Sequence, residues 1–247
     1  MDRLIYTAYS GMTGSMVSQR VIASNMANAQ TIGFREEMLN ALPVTLKGPS
    51  LEARAMTEGE VRGASMKQGT MVQTGNPLDI ALTGHTMLAV QAEDGEEAYT
   101  RRGDLSIDAT GLLTNGDGRP VIGDGGPVTV PLGSKVSIGP DGSVLAADPA
   151  TPDAPPQQVA RLKIAGTDGS KIEKGLDGLF RVTGGGGVLP ADDEAKVQTG
   201  TLEQSNVDPT AILVDMIEAQ RLFDMRTKMI STAKEVDEGS AALMRIT

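Results

Sequence analysis

Ala23-Ser24-Asn25-Met26-Ala27-Asn28-Ala29-Gln30-Thr31-Ile32-Gly33-Phe34-Arg35 is the stretch on which the architecture turns. It ends a helix and begins something else. Behind it, from Asp2 to Ala29, apolar or small residues recur at Ile5, Ala8, Met12, Ser15, Ile22, Met26 and Ala29, with Gln19 the polar exception. The spacing alternates three and four, the stripe of a helix that lies against a partner helix. Gly11 and Gly14 each cost an isolated helix about 1 kcal/mol. Thr31-Ile32-Gly33 then breaks the pattern. Asn25, Asn28 and Gln30 carry two readings. They end the helix, as Asn does at caps and turns, or they fix register at a helical interface.

The far end of the chain repeats the theme. Asp208 is an N-cap with Pro209 at the first helical position. Beyond it Ala219, Leu222, Met229, Ala233, Val236 and Leu243 form a second stripe, with Arg226 and Ser240 as exceptions. Between the ends the composition changes. Residues 36–72 are irregular. From Asp79 to Arg181 short apolar runs, among them 80–82, 87–90, 98–100, 105–107 and 112–114, alternate with Gly-containing turns. Strands about ten residues apart point to an antiparallel sandwich or barrel.

The expected fold class is therefore α+β: long N- and C-terminal helices pairing as a discontinuous coiled-coil domain, with an antiparallel β-rich domain inserted. The expected divisions are a terminal-domain helix at 1–35, a linking segment at 36–78, the β-rich domain at 79–190, a return linker at 191–207 and the second terminal helix at 208–247. A narrow apolar stripe does not hold a lone helix in water. The ends must pair with each other or with neighbouring subunits, and repeated head-to-tail pairing builds an open polymer.

Composition narrows the function. Three Tyr, three Phe and no Trp among 247 residues supply a small-molecule pocket poorly. The net charge of −10 opposes nucleic-acid binding. Residues 1–35 sum to +2 and residues 205–247 to −2, so the ends are opposite in sign around an acidic middle. There is no Cys, which removes thiolate metal sites. No run approaches a membrane span, and the first thirty residues do not read as a cleaved secretory signal. A membrane-surface role for the first helix is weak, given its small charge and the lack of Trp.

Candidate chemistry is sparse. His85 is the single histidine and lacks the partners a triad or zinc site needs. A calcium loop beginning at Asn115 would require Glu at its twelfth position, where Gly126 stands. Arg102-Gly103-Asp104 reads as the start of a strand. Gly166 to Lys171 does not fit the phosphate-loop spacing. A cell-wall-acting enzyme would draw on Asp79, Asp104 and Asp117, which lie near strand ends. No catalytic residue, cofactor or metal is expected.

Several segments together resemble the bacterial flagellar basal-body rod proteins. They are Ala23–Arg35, Thr74–Gly84, Tyr99–Leu105, Gly111–Leu113, Gln198–Asp208 and Gln220-Arg221-Leu222-Phe223, in the family's order over nearly the whole chain. Met1–Ala8 is most similar to the proximal members; a distal-rod or hook-type relative is the alternative. Two local departures are Ile32, where the family usually has Pro, and His85-Thr86-Met87-Leu88, where it often has Gly and two Phe. The resemblance implies a structural subunit that polymerises through its terminal helices and transmits torque. It implies export through the flagellar type III apparatus without a cleaved signal, and a place in the periplasmic rod. The implied partners are copies of itself and other rod proteins, with no nucleic acid and no membrane span. The assembly interface expected from the stripes and motifs is Ile5, Ala8, Met12, Ile22, Asn25, Met26, Asn28, Ala219, Leu222, Phe223, Met229, Ala233, Val236 and Leu243.

Overall fold

A computed structural model describes residues 2–45, 55–149, 154–184 and 187–244. Helix α1 (Asp2–Ala27) is followed by β1 (Glu37–Thr45), β2 (Ala55–Ala64), β3 (Met71–Gln73), β4 (Ile80–Leu82), β5 (Thr86–Gln91), β6 (Glu97–Thr100), β7 (Leu105–Ile107), β8 (Leu113–Asn115), β9 (Ile122–Gly123) and β10 (Gly126–Pro127). Then come β11 (Lys135–Ile138), β12 (Ser143–Ala147), β13 (Gln157–Arg161), β14 (Ile164–Gly166), β15 (Ile172–Lys174), β16 (Phe180–Val182), β17 (Val197–Thr199), β18 (Thr201–Glu203) and α2 (Pro209–Met244). The chain divides into two compact units. One holds residues 1–27, 37–62 and 208–247; the other holds 28–36 and 63–207.

This corrects the expected fold class. The described residues contain two helices, one at each end, and eighteen short strands that run from Glu37 to Glu203. The strands are antiparallel wherever their register is described. The structure does not show a coiled coil of the ends around one inserted β domain. The unit that holds the helices also holds the β1–β2 pair. The large residues expected in a coiled-coil seam on α2 are solvent-facing: Leu222 is 41% exposed, Met229 61% and Val236 57%. The strands form seven small sheets, the largest of five strands, where two large facing sheets or a closed barrel were expected.

In the helical unit, α2 begins as its sequence dictates. Asp208 Oδ1 accepts from the backbone N–H of Thr210 (2.8 Å) and Ala211 (3.3 Å), satisfying donors the helix cannot use itself. Along α2, Ile212, Met216, Ala219, Phe223, Arg226, Ile230 and Ala233 are buried or half-buried at spacings of four and three. That is one face of a helix. It is also a different row from the one holding Leu222, Met229 and Val236. On α1, Tyr9, Thr13, Met16, Arg20, Ala23 and Ala27 face solvent, while Ser10, Ser15, Val21 and Asn25 are buried. Small side chains on the buried side let the helices approach closely. Gln19 Nε2 donates to Ala219 O (3.5 Å), and Arg226 Nη1 donates to Gly11 O and Ser15 Oγ. The helices therefore run antiparallel, with position 11 near 226 and 19 near 219.

In the β unit, the five-stranded sheet has the order β14-β5-β6-β16-β15. Strand β5, paired on both sides, shows why the middle of the chain folds. Successive strand residues point to opposite faces. Leu88 and Val90 enter one apolar cluster with Ile80, Leu82, Leu113, Val121 and Val144; Met87 and Ala89 enter a second with Tyr99, Phe180 and Leu189. Met87 and Leu88, the residues that depart from the rod-protein pattern, are both fully buried. Burial of each such side chain contributes roughly 1.5–3 kcal/mol. The return segment closes the unit. β17 pairs with β4 (Val197 opposite Leu82) and β18 with β3 (Thr201 opposite Gln73), joining strands more than a hundred residues apart.

Candidate functional site

Three of the segments quoted above converge on one carboxylate. Glu203, on β18, accepts from Arg35 Nη2 at 2.8 Å through Oε1 and from Arg101 Nε at 3.0 Å through Oε2. Oε1 also accepts from the Gly69 N–H (2.8 Å), and the Glu203 carbonyl accepts from the Gly33 N–H (2.8 Å). The three side chains are essentially inaccessible, at 1%, 1% and 0% exposure. Arg101 Nη1 further donates to Gly84 O (3.1 Å) and Thr86 O (2.5 Å), pinning the turn before β5. Arg35 Nη1 donates to Lys67 O. Burial pulls both guanidinium groups below their ordinary proton affinity, the Glu203 charge pulls them back up, and Arg35 adds a small downward push on Arg101. One carboxylate serves two cations, and the buried Arg35 Nε and Arg101 Nη2 have no partner.

Two glycines make room for this centre. Gly33 has a φ of +68°, and a Cβ there would lie 2.5 Å from the Arg101 carbonyl carbon. At Gly103 a Cβ would lie 1.9 Å from Ile80 O, so only glycine lets the segment after β6 pass this close to β4.

Two carboxamides hold adjacent backbone amides. Asn206 Oδ1 accepts from Glu36 N (2.7 Å), and its Nδ2 donates to Ser65 O and Lys67 O (2.9 Å each). Asn25 Nδ2 donates to Glu37 O (3.0 Å) while its Oδ1 accepts from Glu37 N (2.8 Å). Asn25 thus pairs with the first residue of β1 as a strand would. Asn28 does the simpler job: its carbonyl and Oδ1 accept from Thr31 N and Oγ1 (3.1 Å each), closing the turn after α1. Lys174 Nζ sits 3.6 Å above the centre of the Phe34 ring and donates to Arg35 O (3.1 Å).

The other expected positions separate. Met12, Ile22 and Met26 are half-buried on α1. Ala219, Phe223 and Ala233 share the half-buried row of α2 with Arg226, while Leu222, Met229 and Val236 lie on the exposed row with Met225. The side chains of Ile5, Ala8 and Leu243 lie outside the described ones. Sequence reasoning did not single out Arg101, Glu203, Asn206 or the role of Arg226. The available signal was a charged or amide side chain within each motif, which identifies such residues without saying what they meet.

The carboxylates weighed for catalysis are occupied. Asp79 accepts from Thr74 Oγ1 (2.6 Å) and Asn76 Nδ2 (2.9 Å); Asp104 and Asp117 are both paired with Arg102 (2.8 and 2.5 Å). Asn115 Oδ1 accepts from the N–H groups of Asp117 and Arg119, so that turn is closed by its own side chain. His85 is exposed, and its carbonyl anchors Thr167.

Internally neutralised charges, a structural ion centre and an apolar helix face left open are the marks of a structural subunit. A family model described as flagellar hook protein FlgE/F/G D1 domain matches residues 81–146, and one described as flagellar basal body rod FlgEFG protein C-terminal matches residues 198–243. The chain is 43% identical over 247 residues to the flagellar basal-body rod protein FlgF of Salmonella typhimurium, covering 98% of this chain and 97% of that protein. It is 43% identical to FlgF of Escherichia coli over 95% of each chain, and 31% identical to FlgG of Bacillus subtilis over 96% and 97%. The chain belongs to the flagellar basal-body rod protein family. It is a structural component of the basal body and not an enzyme, with stronger similarity to these two F-type proteins than to the G-type one.

Proposed function

We propose that this rod subunit assembles with copies of itself and with adjoining rod proteins through the exposed apolar row of α2, and that the resulting polymer carries torque. The observation that carries the reading is the row itself: Leu222, Met225, Met229 and Val236 recur at helical spacing and are 41–61% exposed. Contiguous exposed apolar surface marks an interaction site, whereas single exposed residues do not. Val214, 53% exposed, continues the row toward the start of α2. Within the wider set first expected, Ala219, Phe223 and Ala233 are engaged inside the subunit, and Met12, Ile22, Met26, Asn25 and Asn28 shape the helix that supports the row. Passage through the flagellar export apparatus and residence in the periplasmic part of the rod complete the reading. Both rest on family membership.

Leu222→Asp tests it. The side chain is exposed, so the isolated subunit should unfold within about 0.5 kcal/mol of the parent. Rods should fail to extend past this subunit, and cells should lose motility. Normal motility with this variant, or with Met229→Asp, would remove the α2 row from the assembly surface.

A further inference from the structure

We infer that Arg226 is a positioning residue that sets the register of the two helices, and thereby the height along α1 at which the outward apolar row of α2 stands. It stands in the middle of a row that is otherwise apolar: Ile212, Met216, Ala219, Phe223, Ile230 and Ala233. Apolar contact is non-directional. A helix bearing such a row can slide by one heptad and still set apolar on apolar. A guanidinium cannot slide so freely, because its donors need acceptors wherever it stops.

The native register supplies those acceptors. Arg226 Nη1 donates to Gly11 O and to Ser15 Oγ, both neutral oxygens on α1. The site is also shaped for the side chain. Gly11 carries nothing that would fill the space, and a Cβ built there would lie 3.6 Å from Arg226 Nε. Gly14 and Ser15 keep the neighbouring surface small. A shift of one heptad would move the guanidinium against Ser18–Ile22 or against Leu4–Ala8, where bulkier residues stand and no glycine leaves a slot. Gly11 and Gly14 weaken α1 as a lone helix, and a slot for Arg226 gives that weakness a purpose. A polar group at a helical interface that fixes alignment at some cost in stability is a known physical device.

The consequence for assembly rests on the reading proposed above. Leu222, Met225 and Met229 flank Arg226 on the same helix, so the register fixes where the outward row lies along α1. Among the described side chains, Tyr9 and Met16 are the large exposed apolar residues of α1 in the same unit. A slipped pair would still be helical and still bury apolar surface. It would present the outward row at the wrong height.

The test uses the full-length chain, which has no native cysteine. Cysteines at Gln19 and Ala219 report the native register; Met12 with Ala219, and Met26 with Ala219, report a slip of one heptad either way. In the parent only the first pair should cross-link. Arg226→Met should keep the helicity measured by circular dichroism, lower the native cross-link at least twofold and bring up one or both slipped pairs. Arg226→Lys should restore the native pattern. Gly11→Val, which fills the slot from the other side, should release the register with Arg226 intact. A single native register in both Arg226→Met and Gly11→Val would overturn the inference, as would loss of helicity in both without any slipped cross-link. The two readings fail separately. Leu222→Asp should keep the native cross-link pattern; if it also supports rod growth, the assembly reading fails while the register inference stands.

Discussion

Glu203→Gln is the most informative single change, because it removes one charge and almost no volume. The glutamine keeps an oxygen that can accept from Gly69 N–H or from one guanidinium. Its amide end then directs donors at the other guanidinium, and two buried cations are left without a counter-charge. Removing one partner of a buried ion pair costs about 3–5 kcal/mol. For a unit of this size, with a urea dependence of about 2 kcal/mol per molar, the unfolding midpoint should fall by about 2 M. Urea titration followed by circular dichroism measures it. A control separates charge from packing. Arg35→Met and Arg101→Met combined with Glu203→Met removes all three charges and should recover at least half of the loss. Recovery is incomplete because Gly84 O and Thr86 O lose the Arg101 donor, at about 1 kcal/mol for each lost bond. A midpoint shift below about 0.3 M in Glu203→Gln, or a triple variant no more stable than the single one, would refute the view that this centre is held by charge compensation.

Gly33→Ala should destabilise the β unit by about 2–3 kcal/mol, because the new methyl meets the Arg101 backbone and φ is positive; thermal unfolding measures the change. Asn25→Ala should cost about 1–3 kcal/mol by leaving the Glu37 N–H and carbonyl without their partner, whereas Asn28→Ala should cost less, since it loses a local turn bond. Acid stability follows from Asp108, Asp141 and Asp177. Each carboxyl is held below its ordinary range, first by a side-chain hydrogen bond from Thr110, Ser143 and Arg181 respectively. Depressed folded-state values give stability that is present above the unfolded range and lost as pH falls through the folded one. Melting temperature should therefore drop below about pH 4, and Asp177→Asn should flatten that drop.

Much of the β unit was legible because its local rules agree. Strands at 80–82 and 105–107 fall where the apolar runs lie, and the turns at 93–95, 109–111 and 140–142 each contain a glycine with positive φ. The segment 36–72 was not legible. β1, β2 and β3 lie there, but residues such as Leu39-Asn40-Ala41-Leu42-Pro43 do not alternate cleanly, and proline argues against a strand interior. Helix α2 failed for a different reason. It carries two apolar rows one residue out of phase, and Leu222, Met229 and Val236 lie on the row that faces water. The expected stripe drew on both rows, taking Ala219 and Ala233 from the buried one and Leu222, Met229 and Val236 from the exposed one. Burial instead follows Phe223, Ile230 and the two alanines, with Arg226 inserted among them.

The ion centre was invisible for reasons of distance. Arg35, Arg101 and Glu203 are separated by 66 and 102 positions, and the charged neighbours of the two arginines, Glu36, Glu37 and Arg102, are not their partners in the centre. Nothing local says that an arginine ending a turn, an arginine leaving a strand and a glutamate ending another strand share one site. The site nonetheless has a logic that the sequence order explains. Arg35 belongs to the first turn after α1, and Glu203 to the last strand before α2. Arg101 belongs to the β sheet between them. If the return segment is absent, two cations in the β unit lack a counter-charge; if the first turn is absent, one oxygen of Glu203 loses its guanidinium. Each arrangement leaves buried charge uncompensated, at a cost comparable to a large part of a domain's net stability. The unit therefore reaches its full stability only when the segments following α1 and preceding α2 are both docked.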